Sequence, residues 1–253
     1  MSSATPQLFL RCLPGGLLAA ALLAAQCPVR AEPQLYVDDV APLAWHDGPV
    51  IRGVLYELMR DMAARAGHSG KIASVPLKRE LALTAASPQT LSTLARFPED
   101  EQSYTWLCKL LEERIVLVAN GDSTFDLGSL DAVRDLRVGV ILGGSAEALA
   151  RRLGFRNIQP TGGAESTARK LTLGRIDAWL VAAGIAAHQQ ENLGGATLSW
   201  RSGPTLQPIS IYLAAARNAD PAMLATWRAA CDAMQKDGSY VRILHQYHYE
   251  PPK

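Results

Sequence analysis

The sequence predicts an α/β protein with largely parallel sheets. Three observations carry this. Short apolar runs closed by Gly, Pro, Asn or Asp alternate along the chain with segments of helical period. The 253 residues suffice for one large domain, or two small ones that each bury a core. With 48% hydrophobic and 19% charged residues and a mean hydropathy of +0.02, the composition excludes a disordered chain and a multi-span membrane protein.

The first 31 residues read as an export signal, not as part of the fold. Arg11 precedes the apolar stretch Leu17–Ala25, and Val29-Arg30-Ala31 places small or apolar residues at −3 and −1 of a cut before Glu32. The stretch is too short to span about 30 Å of hydrocarbon, and Pro14-Gly15-Gly16 blocks extension upstream. A lipid anchor on Cys27 is disfavoured by the bulky Gln26 before it. Cleavage after Ala31 removes Arg11 and Arg30 and no acid, so the formal charge moves from +1 to −1. No Lys/Arg block offers a nucleic-acid footprint. Cys108 and Cys231 then remain, either bridged in an oxidising compartment or buried as two thiols.

In the mature chain, Leu35-Tyr36-Val37 is a strand, followed by a loop through Pro42, Trp45 and Gly48. From Gly53 the apolar residues Val54, Leu55, Leu58, Met59, Met62, Ala63 and Ala66 share one helical face, closed by Gly67. Lys71–Val75 is a strand ending at Pro76. Ile115–Ala119 is an apolar strand stopped by Asn120-Gly121-Asp122. Arg137–Leu142 is a strand, Gly143-Gly144-Ser145 a turn, and Ala146–Leu153 a helix that Ser145 can cap. A helix over Thr167–Leu173, a strand over Ile176–Ala182, a helix over Ala183–Asn192 and a strand over Ile209–Ala215 follow. Asp220-Pro221 supplies an N-cap and first-turn proline for a helix running to Lys236.

Taken in order, these features resemble the bacterial solute-binding proteins of family 3, periplasmic receptors of amino-acid-type ABC transport systems. The resemblance covers essentially the whole mature chain. Its segments are Leu35–Pro42, Gly53–Leu58, Pro76-Leu77-Lys78-Arg79, Arg96–Glu101 with Trp106, Ser129-Leu130-Asp131, Val138-Gly139-Val140, Gly143-Gly144-Ser145, Lys170-Leu171, Gly174–Ala178, Tyr212-Leu213-Ala214, Asp237-Gly238-Ser239 and Ile243–Tyr247. It implies a two-lobed α/β fold of the type II periplasmic-binding-protein kind. Two crossing strands would form the hinge, with the ligand in the cleft between lobes. Residues 32–119 and 207–253 would form lobe 1 and residues 120–206 lobe 2. Closure would be a hinge motion.

The resemblance also implies candidate ligand contacts. Gly144 and Ser145, between a strand and a helix, can offer backbone N–H groups and the helix dipole to an anion. Arg79 and Arg96 are candidate forks for a carboxylate. Asp38 and Trp45 flank the first strand-to-helix loop, a cleft wall in the family, and Trp179 lies on a strand ending at the cleft. Two departures matter. Asp100 stands where the family commonly places the carboxylate-binding arginine, and Ala182 where an acid commonly holds the ligand ammonium. The expected ligand is therefore not a standard α-amino acid, with an anionic or neutral polar molecule favoured over a cation.

Catalytic patterns are weak. The five histidines are dispersed, His245-x-x-His248 has no third metal ligand, and Glu112-Glu113, being adjacent, point to opposite sides of a regular strand. No metal, cofactor or enzymatic activity is expected. The expectation is a monomeric periplasmic receptor that captures a small polar ligand for an inner-membrane permease. A sensory or accessory binding subunit, or a cyclohexadienyl dehydratase-like enzyme, are the alternatives.

Overall fold

Leu35 and Val37 are buried on alternate positions of Gln34–Asp38 (β1), the first strand of the large sheet in the computed structural model. The structure describes residues 1, 32–194 and 198–249. The expected export signal, its cut after Ala31 and the extreme C-terminus lie outside the described residues. After β1, Trp45–Asp47 (β2) and Val50–Arg52 (β3) form a hairpin where the sequence predicts a loop. Gly53 then turns the chain at φ 127°, and an added Cβ would collide with the Leu43 carbonyl, so the bend into the next helix requires glycine. Val54–Arg65 (α1) buries the predicted face from Val54 to Ala63. Ile72–Val75 (β4), Leu77–Ala86 (α2) and Thr90–Arg96 (β5) follow, with a 3-10 turn over Pro98–Asp100.

Tyr104–Asn120 (β6) is a single 17-residue strand, of which the predicted Ile115–Ala119 is only the end. Beyond it come Leu130–Val133 (α3), Arg137–Ile141 (β7), Ser145–Arg152 (α4), Asn157–Thr161 (β8), Ala164–Thr172 (α5), Ala178–Ala182 (β9) and Ala183–Gly194 (α6). Trp200–Ala216 (β10), also 17 residues, leads to Pro221–Lys236 (α7) and Ser239–Gln246 (α8). The Asp220 carboxylate accepts the Ala222 N–H at 3.1 Å, the predicted cap.

The strand order is β4-β1-β5-β10-β6-β9-β7-β8. Each wing is parallel (β4-β1-β5 and β9-β7-β8), but the centre is antiparallel, so the sheet is mixed rather than largely parallel. The cause is the return of the chain. β6 runs out from one wing and β10 runs back beside it, and two neighbouring strands travelling in opposite senses must pair antiparallel. β10 pairs with β5 over Ser210–Ala215, and β6 pairs with β9 over Ile115–Val118. These two strands thus run through both lobes, and the expected boundaries near 119/120 and 206/207 fall inside them. Their ladder is interrupted by register shifts, as expected where strands bend from one wing into the other.

Helices cover both faces of each wing. In the first, α1, α7 and α8 pack together on one side and α2 lies against β5 and β10 on the other. In the second, α5 and α6 pack together and α4 lies against β7, β8 and β9. Cys108 on β6 and Cys231 on α7 are bridged, with Cα atoms 6.7 Å apart, which resolves the two readings of this pair in favour of the bond.

Candidate ligand-binding cleft

The strand ends and helix starts of the two wings face each other across a cavity of about 90 Å³. Asp38 at the end of β1, Leu77 at the start of α2, and Thr93 and Ala95 on β5 form one side. Ile141 at the end of β7, Gly144, Ser145 and Ala146 at the start of α4, Leu180–Ala182 on β9 and Ile185 on α6 form the other. Glu113 on β6 with Ile209 and Ile211 on β10 closes the floor. A second space of about 220 Å³ shares Leu77, Ala95, Gly144 and Ser145 with the first and reaches Asp100 and Arg152. Open α/β sheets bind ligands at such strand ends because the loops and free helix N-termini there leave polar groups unused.

The polar groups of the cavity are mainly acids in an apolar wall. The Asp38 carboxylate accepts the backbone N–H groups of Leu77 and Asp39, yet burial, with the neighbouring Asp39 charge, pushes its pKa up to about 7. Behind it Glu80 is wholly buried on α2. Its Oε1 accepts the Thr93 N–H at 3.2 Å and its Oε2 has no partner. Burial first, and the Asp38 charge second, hold Glu80 well above the ordinary carboxylate range. Glu113 accepts a hydrogen bond from the Tyr249 hydroxyl at 2.9 Å, and burial raises its pKa against that bond. Thr93, 3% exposed, carries a buried hydroxyl without a hydrogen-bond partner.

The start of α4 differs in detail from expectation. Gly144 is the N-cap and Ser145 the first helical residue, and no side chain caps the helix at that position. The Glu147 carboxylate accepts the Gly143 N–H at 2.7 Å and pairs with Arg151 at 2.5 Å. An anion of the chain itself therefore already occupies the positive end of this helix.

Of the sequence-predicted contacts, Asp38, Gly144 and Ser145 are brought together on the cavity wall. Four are not. Arg96 lies between the Trp106 and Tyr212 rings, 5.6 and 5.0 Å from their centroids, and forks onto Glu101. It is thus neutralised by a neighbour five residues on. Arg79 is exposed on α2 outside the cavity lining. Trp45 packs against His188 and Tyr247 beside the cleft, with ring centroids 5.5 and 6.4 Å away. Trp179 is wholly buried edge-on to Trp200, 6.0 Å between centroids, and belongs to the core. The arginine placements remove the positive side chains on which the preference for an anion rested: among the described residues, none that lines this cavity is basic.

Sequence reasoning missed Glu113, Glu80 and Thr93. Glu113 had a usable signal. Alternation separates it from Glu112 as expected, and Glu112 is ion-paired to Lys109 at 2.6 Å. Glu113 pairs across the ladder with Ile209, whose side chain faces the cleft. An acid in register with apolar partners on an otherwise buried face is the mark of an inward charge. Among the described residues, no group of three or more His, Cys, Asp or Glu is placed to hold a metal.

No family model matches the sequence, and no curated protein matches it. Solved structures do match. The arginine-, lysine-, histidine-binding protein ArtJ from Geobacillus stearothermophilus is similar at 17% identity and TM-score 0.75, covering 87% of this chain and 97% of that one. A histidine kinase sensor domain with similarity to periplasmic binding proteins is similar at 16% identity and TM-score 0.77, over 87% and 99%. An ancestral amino acid-binding protein, described as a precursor of cyclohexadienyl dehydratase, is similar at 18% identity and TM-score 0.71, over 85% and 95%. The chain has the two-lobed type II periplasmic-binding-protein fold.

Proposed function

We propose that the protein is an exported solute receptor that closes its two lobes over one small ligand and presents it to a membrane permease. The observation that carries this reading is the cavity itself. It is walled by residues from both wings and floored by the two strands that join them, so a bound molecule touches both lobes and favours the closed form. The lobes are divided where β6 changes from following the first wing to pairing with β9, near Ile115, and where β10 changes over near Ile209. Likeness to the arginine-, lysine-, histidine-binding protein and to the ancestral amino acid-binding protein supports a small-molecule ligand, while the periplasmic location and the permease partner belong to the proposal and rest on the sequence resemblance. A melting-temperature screen of the mature chain over amino acids, organic acids and amines tests the reading. A ligand at a hundred times its Kd stabilises the folded form by about 2.7 kcal/mol. At least one small molecule should produce such a shift.

A second reading is a sensory binding subunit, favoured by the likeness to the kinase sensor domain. It uses the same closure and differs only in what the closed form docks to. The dehydratase reading is tested by turnover of prephenate, and none is expected.

A further inference from the structure

Given the receptor reading, the chemistry of the cavity narrows its ligand. Two acids, Asp38 and Glu113, line the cavity from different elements, and among the described residues no basic side chain lines it. The Glu113 oxygens also accept the Tyr249 hydroxyl and the Arg114 and Gly184 N–H groups. The buried Thr93 hydroxyl on the same wall has no hydrogen-bond partner within the chain. It is an independent sign of a polar group to be met inside, since a buried hydroxyl left unpaired is costly. The remaining wall is largely apolar and includes Ile185 and Ile209. A carboxylate on the ligand would find one attractive feature, the α4 N-terminus. That end already carries the Glu147 carboxylate, locked onto the Gly143 N–H. A zwitterion would leave the site's negative charge uncompensated, whereas a single positive charge reduces it.

We infer that the cavity takes a compact organic monocation, an amine on an apolar body without a carboxylate, held by Asp38, Glu113 and the Thr93 hydroxyl. The ammonium donates to the two carboxylates and to Thr93 Oγ1, and the body lies on Ile185 and Ile209. The groups that act on Asp38 are Asp39 beside it and Glu80 from α2, both acidic, together with the Leu77 and Asp39 N–H groups, and Glu113 of β6 lines the same cavity. Burial and these acids keep Asp38 partly protonated near neutral pH. A cation must displace that proton, so its affinity rises as the pH rises from 6 to 8.

The test is a matched panel on the mature chain, read by melting temperature and titration calorimetry. It comprises propylamine to hexylamine and benzylamine, the carboxylates and alcohols of the same bodies, and the amino acids 2-aminobutyrate, norvaline, norleucine and phenylglycine. Amines alone should stabilise and bind. Glu113→Gln should weaken the best amine at least about tenfold, as removing one partner of a buried charge pair does. Because Asp38 also caps α2, its own replacement risks the fold, and Thr93→Val serves as the second variant, expected to weaken the amine several-fold with an unchanged melting temperature of the free protein. Binding of carboxylates or amino acids in place of amines overturns the cation class and leaves the receptor reading standing. Amine binding that neither variant alters overturns the site. Failure of every panel member to bind overturns this inference, and the receptor reading falls as well only if no small molecule of the wider screen shifts the melting temperature.

Discussion

Glu80 shows how single residues in this fold carry charge at a cost. It is wholly buried, half-satisfied by the Thr93 N–H, and close enough to Asp38 for each acid to oppose ionisation of the pair. An acid whose folded pKa exceeds its unfolded value binds extra protons when folded. Stability is therefore greatest below the unfolded value and falls as the pH rises through the window, from about 4 to about 7 for Asp38, with Glu80 and Glu113 acting in the same direction. Each such group contributes up to about 1.4 kcal/mol per pH unit. His188, lowered by burial, acts oppositely below its ordinary value, so a variant is needed to isolate the acids. Glu80→Gln should stabilise the protein against urea by at least about 1 kcal/mol more at pH 8 than at pH 5; equal effects at the two pH values would contradict this. Gly184 offers a second residue-scale check. A Cβ there would overlap both the Glu113 carboxylate and the Tyr249 hydroxyl, so Gly184→Ala should destabilise by about 1–3 kcal/mol and weaken ligand binding. Site legibility divided along the same lines. The placement of Asp38, Gly144 and Ser145 on the cavity wall, as distinct from any contact with a ligand, was readable because backbone position at a strand end or helix start fixes where they lie. Arg96 was not, because a long side chain goes where its partners are, and Glu101, Trp106 and Tyr212 are brought to it by the turn at Pro98–Asp100 and by β10.

At the scale of elements, the strongly periodic segments were legible and the weakly patterned ones were not. α1 and α7 have continuous apolar stripes and begin and end close to the predicted points. α2 was missed because its buried side is made by Glu80 and Thr84, which no apolar pattern reveals. β5 was missed because Thr90, Ser92 and Thr93 are buried polar residues, satisfied in part by the Thr84–Ser92 hydroxyl contact at 2.6 Å. The first half of β6 was missed because Lys109, Glu112 and Glu113 interrupt its apolar run. One set of elements makes a further claim. The β2–β3 hairpin carries Trp45, which packs on His188 of α6, the helix following β9 in the other wing, while the Tyr247 hydroxyl accepts the Gly53 N–H at 3.2 Å and its ring meets Trp45 edge-on. This contact joins the hairpin of the first wing to a helix of the second, and we expect it to favour closure. An aromatic pair contributes about 0.5–1.5 kcal/mol, so Trp45→Ala should weaken ligand affinity about two- to twelve-fold through faster dissociation. Unchanged dissociation would show that the contact does not favour closure, and a loss beyond a hundredfold would place Trp45 on the ligand itself.

For the whole molecule, the mixed sheet joins one wing to the other through β6 and β10, and the Cys108–Cys231 bond ties α7 to the part of β6 that precedes the crossing. The bond encloses a sequence separation of 123 residues but lies to one side of the hinge. Its reduction should lower stability by about 2–4 kcal/mol, and up to about 5 on chain-entropy grounds, while ligand affinity stays within twofold; a large loss of affinity would show that the bond governs closure. The two-lobed architecture was legible through the ordered resemblance of many short segments, whereas the antiparallel centre was not, since strand direction depends on where the chain returns rather than on local pattern. The central claim is that a small molecule holds both lobes at once. Small-angle X-ray scattering of the mature chain, with and without whichever molecule most raises its melting temperature, tests this directly. The account predicts that the ligand shrinks the radius of gyration toward the about 17 Å of a compact chain of this size. A ligand that stabilises the protein and leaves that radius unchanged would contradict it.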